Sequence, residues 1–393
     1  MKKPVLVINT GSSSIKFAVY EPDGGGGLTL RRRGMIEEIG REPFYTLADG
    51  EGATLSSGSL EDGTRTHDEC FGWLEGRLGD ILPGGGPSAV GHRVVHGGTG
   101  FTGPVLIDDG VVAKLSRLEP LAPLHQPYNV SGIRAMMRAY PGVPNVACFD
   151  TSFHRTQPGL AQMFGLPMDY YEAGVVRYGF HGLSYEYVLS RLGEISPETA
   201  SGRVVTAHLG AGASMCATLG GKSVATTMGF TALDGLPMGT RSGGIDPGVI
   251  FYLQREKGMT ADEVEGFLYK KSGLLGISGL SSDMRDLEAS DAPGARLAVD
   301  YFAYRIVRET GSLTAALGGL DALVFTAGIG ENSALVREKV CAGLSWLGVE
   351  LDSEANSRNA LVIGTGKSRV RVYVIPTNEE LVIATKTTDT ISA

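Results

Sequence analysis

Several short segments of this chain carry side chains that can hold phosphate oxygens, a carboxylate or a divalent cation. Asn9-Thr10-Gly11-Ser12-Ser13-Ser14, with Lys16 just beyond, is a turn dense in backbone N–H and hydroxyl donors. Such a turn cradles phosphate oxygens, and Lys16 adds a point charge. A plain β-turn has much the same composition. The theme returns in Leu209-Gly210-Ala211-Gly212-Ala213-Ser214, and two such turns favour the phosphate reading.

His92-Arg93-Val94-Val95-His96-Gly97-Gly98 puts Arg93 and Val95 on one face of a strand end, and His92, Val94 and His96 on the other. An arginine fork beside an apolar side chain suits a carboxylate with a small alkyl tail. A structural ion pair is the competing role. Phe149-Asp150-Thr151-Ser152-Phe153-His154 ends a strand with a carboxylate suited to Mg²⁺ or phosphate, or simply to a cap. Tyr178-Gly179-Phe180-His181-Gly182 exposes a histidine among glycines, and Met238-Gly239-Thr240-Arg241-Ser242-Gly243-Gly244 sets Arg241 among small residues, open to a charged ligand. Asp283 and Arg285, with the Gly328-Ile329-Gly330-Glu331-Asn332 turn, fit a nucleoside pocket, and loop or helix caps would look alike. Thr377-Asn378-Glu379-Glu380 adds a carboxylate pair.

Two familiar patterns fail on context. Gly98-Thr99-Gly100-Phe101-Thr102-Gly103 fits G-x-G-x-x-G, but Pro104 and a β-like run follow where a dinucleotide fold needs a helix. Gly366-Lys367-Ser368 resembles the end of a P-loop, but Leu361 stands where its first glycine belongs.

These segments need strands to end on. Apolar runs predict strands at 5–9, 15–20, 28–39, 89–95, 145–149, 204–208, 215–219, 322–326 and 371–375. Helical spacing marks 67–82, the region of Ile133 to Tyr140, 261–270 and 295–317. The strand–Gly/Ser turn–strand unit occurs twice, about 200 residues apart, which reads as one duplicated unit per domain. The class is α/β, with two sheet domains facing a cleft.

Composition narrows the function classes. The 393 residues suit two domains. The 57 glycines are roughly twice the usual share, without the period of collagen. A net charge of −8 argues against nucleic acid as a partner, and Arg31-Arg32-Arg33 reads as a solvated strand edge. Four scattered cysteines form no metal cage or disulfide framework and fit a reducing cytoplasm. The apolar run 5–8 is too short for a signal peptide, and no 18-residue apolar stretch predicts a membrane span.

Taken together, VINTGSSSIK (7–16), HRVVHGG (92–98), FDTSFH (149–154), RYGFH (177–181), HLGAGAS (208–214), residues 228–247, SGLSSDMRDL (278–287), FTAGIGENS (325–333) and TNEE (377–380) closely resemble the acetate kinase family, within the acetate and sugar kinase/Hsp70/actin superfamily. Each match is modest; nine in order over nearly the whole chain are specific. The resemblance implies a duplicated two-domain actin-like (ribonuclease H-like) ATPase fold with an inter-domain cleft. The N-terminal lobe would comprise 1–150 plus 382–393, and the C-terminal lobe 151–381. It implies Mg²⁺, with Mn²⁺ as a substitute, ATP as co-substrate, acetate or another short fatty acid as acceptor, and a homodimer.

It also implies roles by position. Asn9, Ser12, Ser14, Lys16, His208, Gly210 and Gly212 lie on the phosphate side. Arg93 and Arg241 hold the acyl carboxylate and the transferring group, and His181 donates to that group, with His125 and His208 nearby. Asp150 and Glu379 are acid and magnesium-site residues, with Asn9 also at the metal. Asp283, Arg285, Gly328, Gly330 and Asn332 form the adenosine pocket, while Val95, Leu124, Phe180 and Ala232 line the acyl pocket. Three positions depart from the family pattern: Ala211 replaces an asparagine, Gly244 an aspartate and Ala232 a proline. Since one methylene is worth only about 1–3 kcal/mol in such a pocket, propionate or butyrate stands as the alternative acceptor. An actin- or Hsp70-like ATPase is the rival class, and it leaves Arg93 and Arg241 unexplained.

Overall fold

The computed structural model describes residues 3–60, 64–82, 86–123 and 125–393. It divides into two compact units, Met1–Phe153 with Asn378–Ala393, and His154–Thr377.

In the first unit, β1 (Val5–Thr10), β2 (Ile15–Pro22), β3 (Leu28–Glu37), β4 (Phe44–Asp49), β5 (Thr54–Ser59), β6 (Ala89–Val94), β7 (Val105–Leu106) and β8 (Asn145–Phe149) form one sheet in the order β5-β4-β3-β2-β1-β6-β8-β7. The β1–β2 and β2–β3 pairs are antiparallel, whereas β1–β6 and β6–β8 are parallel. Alternation along the strands sorts the chemistry. Leu6, Ile8, Ile15, Phe17 and Val90 point into one core, beneath a helix at His67–Ile81 that supplies Phe71 and Leu74 and one at Gln126–Ala139 that supplies Met136. Asn9, Lys16, Gly91 and Arg93 take the opposite face, where Asn9 and Lys16 are cross-strand partners. The last helix, Glu379–Ser392, covers that face. It packs so closely that a Cβ on Gly91 would lie 2.3 Å from Thr387 Oγ1 and 2.7 Å from Ile383 Cγ2.

The second unit repeats the connectivity. Its β9 (Arg203–Leu209), β10 (Ala213–Leu219), β11 (Lys222–Thr226), β12 (Ala322–Thr326) and β13 (Arg371–Val374) run in the order β11-β10-β9-β12-β13. The first three are antiparallel and the last two join in parallel. The hairpin–crossover pattern is that of β3-β2-β1-β6-β8, so the duplication read from two turns extends to the whole sheet. Helices at Gly182–Ile195 and Pro293–Leu317 pack against it.

Some elements lie outside the apolar runs and helical spacings marked in the sequence. The β4–β5 hairpin is half exposed, the Gly182–Ile195 helix opens on glycine, and the final helix is polar at its start. The unit limits also differ from those read at 151 and 382. A single helix begins at Glu379 with Asn378 as its cap, so residues 378–381 travel with the first unit. No helix of the described residues is long and apolar enough to cross a membrane.

Candidate active site

In the first unit the site is built on Arg93. Its Nε and Nη2 donate to Asp150 Oδ1 and Oδ2 at 3.1 and 2.6 Å, and its Nη1 donates to Asn9 Oδ1 at 3.2 Å. Glu379 Oε2 stands 3.7 Å from Nε. Three elements supply these groups: β1 brings Asn9, β6 and β8 bring Arg93 and Asp150 to adjacent carboxyl ends, and the final helix brings Glu379 in its first turn. Burial lowers the guanidinium's pKa, but Asp150 and then Glu379 outweigh it and drive the pKa up. Burial raises Glu379 to about 7; Arg93 opposes the rise, and Asp150 and Glu380 support it. The arginine fork that suits a substrate carboxylate is thus engaged by a protein carboxylate here, so the ion-pair role is real within this unit.

The turn between β1 and β2 is closed by Gly11 N donating to Ser14 O at 2.8 Å. Ser12 and Lys16 are exposed, and Ser14 is half-buried. Val95 is buried, its N–H donating to Asn129 Oδ1 at 2.9 Å. His125 precedes the Gln126–Ala139 helix of this unit. Leu124 lies outside the described residues.

In the second unit the chemistry gathers where β9 and β12 end. His181 has a left-handed backbone, φ 57°, and starts the Gly182–Ile195 helix. Behind it the His154 ring is neutral, since burial lowers its pKa to about 4, and Nε2–H donates to the Phe180 carbonyl at 2.9 Å. Phe180 itself is buried. His181 Nδ1 lies 2.8 Å from Ser214 Oγ, and its ring stacks on His208 at 4.1 Å. Arg241 Nη1 donates to the Ala232 carbonyl at 3.0 Å, and Tyr269 lies beneath the guanidinium, 6.0 Å from its carbon. Burial lowers the Arg241 pKa, and among the described residues no carboxylate pairs with it. Gly212 is where these groups meet: a Cβ there would be 3.4 Å from His181 Nε2 and 4.0 Å from Arg241 Nη1.

The neighbouring turn is the nucleoside candidate. A Cβ on Gly210 would lie 3.7 Å from Ala327 Cβ and 4.0 Å from Gly328 N, so the turn after β9 abuts the Ala327–Asn332 helix after β12. Asn332 Nδ2 donates to Gly328 O at 2.9 Å. Arg337, fully buried, donates to the Gly330 and Glu331 carbonyls, both at 2.9 Å, and braces that turn. Asp283 caps a short helix and takes Arg285 Nη2 at 2.6 Å, with the Arg285 side chain 89% exposed. That pair has the geometry of a surface cap. Nothing in the sequence patterns pointed to Arg337, Tyr185 or Ser184, whose roles come only from what they touch.

Among the described residues, no group of three or more His, Cys, Asp or Glu is arranged to cage a metal alone. The oxygens of Asn9, Asp150 and Glu379 fit magnesium differently. Mg²⁺ takes one or two carboxylates, keeps waters and completes its shell with nucleotide phosphates. A Glu379 titrating near 7 is ready to lose its proton to a cation.

Comparison with known proteins follows the same lines. The model of the acetokinase family matches residues 4–385. An acetate kinase of Nitrobacter hamburgensis is 53% identical, over 98% of this chain and 95% of its own length. Among solved structures, a propionate kinase from Francisella tularensis superposes with a TM-score of 0.91 at 36% identity, covering 99% of this chain and all of its own. The acetate kinase of Porphyromonas gingivalis gives 0.88 at 38%, with the same coverage. End-to-end matches of this kind leave no part of either sheet unit unaccounted for, and the chain belongs to the acetokinase family.

Proposed function

We propose that this chain catalyses reversible transfer of the γ-phosphoryl group of ATP to acetate, giving acetyl phosphate and ADP. The family membership supports the reaction class. The observation that carries it is Arg241: a largely buried guanidinium with no carboxylate partner among the described residues, brought with His181 Nε2 to the glycine turn at Gly212. A charge held in that way costs stability unless an anion completes it.

A fatty acid is already ionised at neutral pH, so no base is needed. Its carboxylate oxygen attacks γ-phosphorus, the bond from that phosphorus to the β,γ-bridging oxygen breaks, and ADP leaves with the electron pair. What the chain must supply is cancellation of anionic repulsion and donors for the equatorial oxygens. Arg241 and His181 are assigned to the transferring group, and Arg93, released in part from Asp150, to the acyl carboxylate. Asn9, Ser12, Ser14, Lys16, His208, Gly210 and Gly212 are assigned to phosphates, and Asp283, Arg285, Gly328, Gly330 and Asn332 to adenosine. Val95, Leu124, Phe180 and Ala232 are assigned to the alkyl group. Magnesium, or manganese in its place, neutralises phosphate oxygens when bound, and Asn9 and Glu379 are its proposed protein ligands, with Asp150 beside them.

A lobe boundary near 150 and 380, a homodimer and a cytoplasmic setting complete the reading. Four free buried cysteines suit a reducing compartment. Propionate is the second acceptor considered, because Ala232 leaves more room than the proline of relatives. A panel of C2–C4 acids with ATP, trapped by hydroxylamine, tests the proposal. Acetohydroxamate should form fastest. ATP turnover indifferent to any acid would replace this reading with that of a plain ATPase.

A further inference from the structure

His181 and His208 stack as nearly parallel rings, inclined by 15°, yet each meets a different serine. Ser184 Oγ gives its single hydrogen to Thr377 Oγ1 at 2.9 Å. Toward His208 Nδ1, 2.8 Å away, it therefore offers only a lone pair. A neutral His208 must carry its hydrogen on Nδ1, so that its Nε2 carries none.

Ser214 is set the other way. Tyr185 Oη lies 2.5 Å from Ser214 Oγ, with both residues fully buried. A phenol is a far stronger acid than an aliphatic hydroxyl and takes the donor role between the two. Burial raises the Tyr185 pKa further, so the phenol keeps its proton. The Ser214 hydrogen is then directed at His181 Nδ1, 2.8 Å away. That nitrogen is an acceptor, and the ring hydrogen sits on Nε2, the atom nearest the Gly212 turn.

We propose that Tyr185, through Ser214, and Thr377, through Ser184, are positioning residues that hold the stacked His181 and His208 in opposite tautomers, so that only His181 presents an N–H to the phosphoryl group. The functional half of this statement rests on the Gly212 turn being the phosphoryl end of the site; the tautomers do not.

Histidine-selective ¹⁵N labelling of the whole chain tests it, with long-range ¹H–¹⁵N correlation at about pH 8.5, two units above an ordinary imidazole. Spectra of His181→Asn and His208→Asn assign the two rings. The expected result is Nε2–H on His181 and Nδ1–H on His208. The same tautomer on both rings overturns the proposal. In Tyr185→Phe, a fraction of His181 should convert to Nδ1–H, and kcat should fall roughly 10-fold with the acetate KM unchanged, a partial loss of one preorganised donor. An unchanged tautomer and kcat in a folded Tyr185→Phe overturns the positioning role. If that variant does not fold, the wild-type tautomers decide. Full activity in His181→Ala would instead remove the phosphoryl assignment while leaving the tautomer result standing.

Discussion

Arg93 and Arg241 carry the same charge, yet replacing each with alanine should have very unequal consequences for folding. Arg93 is 17% exposed and holds Asp150, 1% exposed, with a two-pronged bond, while Glu379, 11% exposed, stands 3.7 Å away. Removing it strands two buried carboxylates, and breaking a buried pair costs about 3–5 kcal/mol. Protonation of Glu379, already titrating near 7, relieves part of that cost, which places the loss near about 3 kcal/mol. For a unit of this size, Tm should drop by about 6–12 °C. Among the described residues Arg241 has no such partner, and it meets a carbonyl, a thioether and a ring. Alanine there gives up one hydrogen bond and removes a poorly compensated charge, so stability should change by no more than about 1 kcal/mol. Both variants should lose roughly 10³-fold in kcat, the usual worth of an arginine serving phosphoryl transfer. Urea unfolding gives the first comparison and hydroxamate trapping the second. If Arg241→Ala unfolds as readily as Arg93→Ala, or turns over acetate normally, Arg241 is a structural cation and the reasoning fails.

Two further outcomes follow from the same geometry. Glu379 binds its proton more tightly when folded, about 7 against 4.5, so its contribution is fully present below pH 4.5 and is lost as pH rises through 7. The stability gap between Glu379→Gln and wild type should therefore widen by about 3 kcal/mol from pH 4.5 to 8, and a gap that stays flat in urea titrations would show that the carboxyl is not held protonated. Ala232→Pro keeps the carbonyl that accepts from Arg241 while narrowing the proposed alkyl site. The acetate-to-propionate ratio of kcat/KM should rise roughly 10-fold, within the worth of one methylene, and an unchanged ratio would show that position 232 does not read chain length.

The strands that end in chemistry were legible because fully buried strands are unbroken apolar runs: 5–9, 145–149, 204–208 and 322–326 lie within or coincide with β1, β8, β9 and β12. The turns after β1 and β9 could be read because small and hydroxyl-bearing residues cluster there between two apolar runs. Family motifs then singled out Arg93, Asp150, His181, Arg241 and Glu379. The partners of those residues could not be read. Period-two alternation puts Asn9 and Arg93 on one face, but only the sheet order sets β1 beside β6, and only the packing of the Glu379–Ser392 helix brings a carboxylate from 286 positions away in sequence to Arg93. Tyr185, Ser184 and Arg337 carry no motif at all. A hydrogen-bond chain between side chains exists only once separate strands and helices fix its members within 3 Å, and that distance is a property of tertiary packing, which residue types alone do not encode.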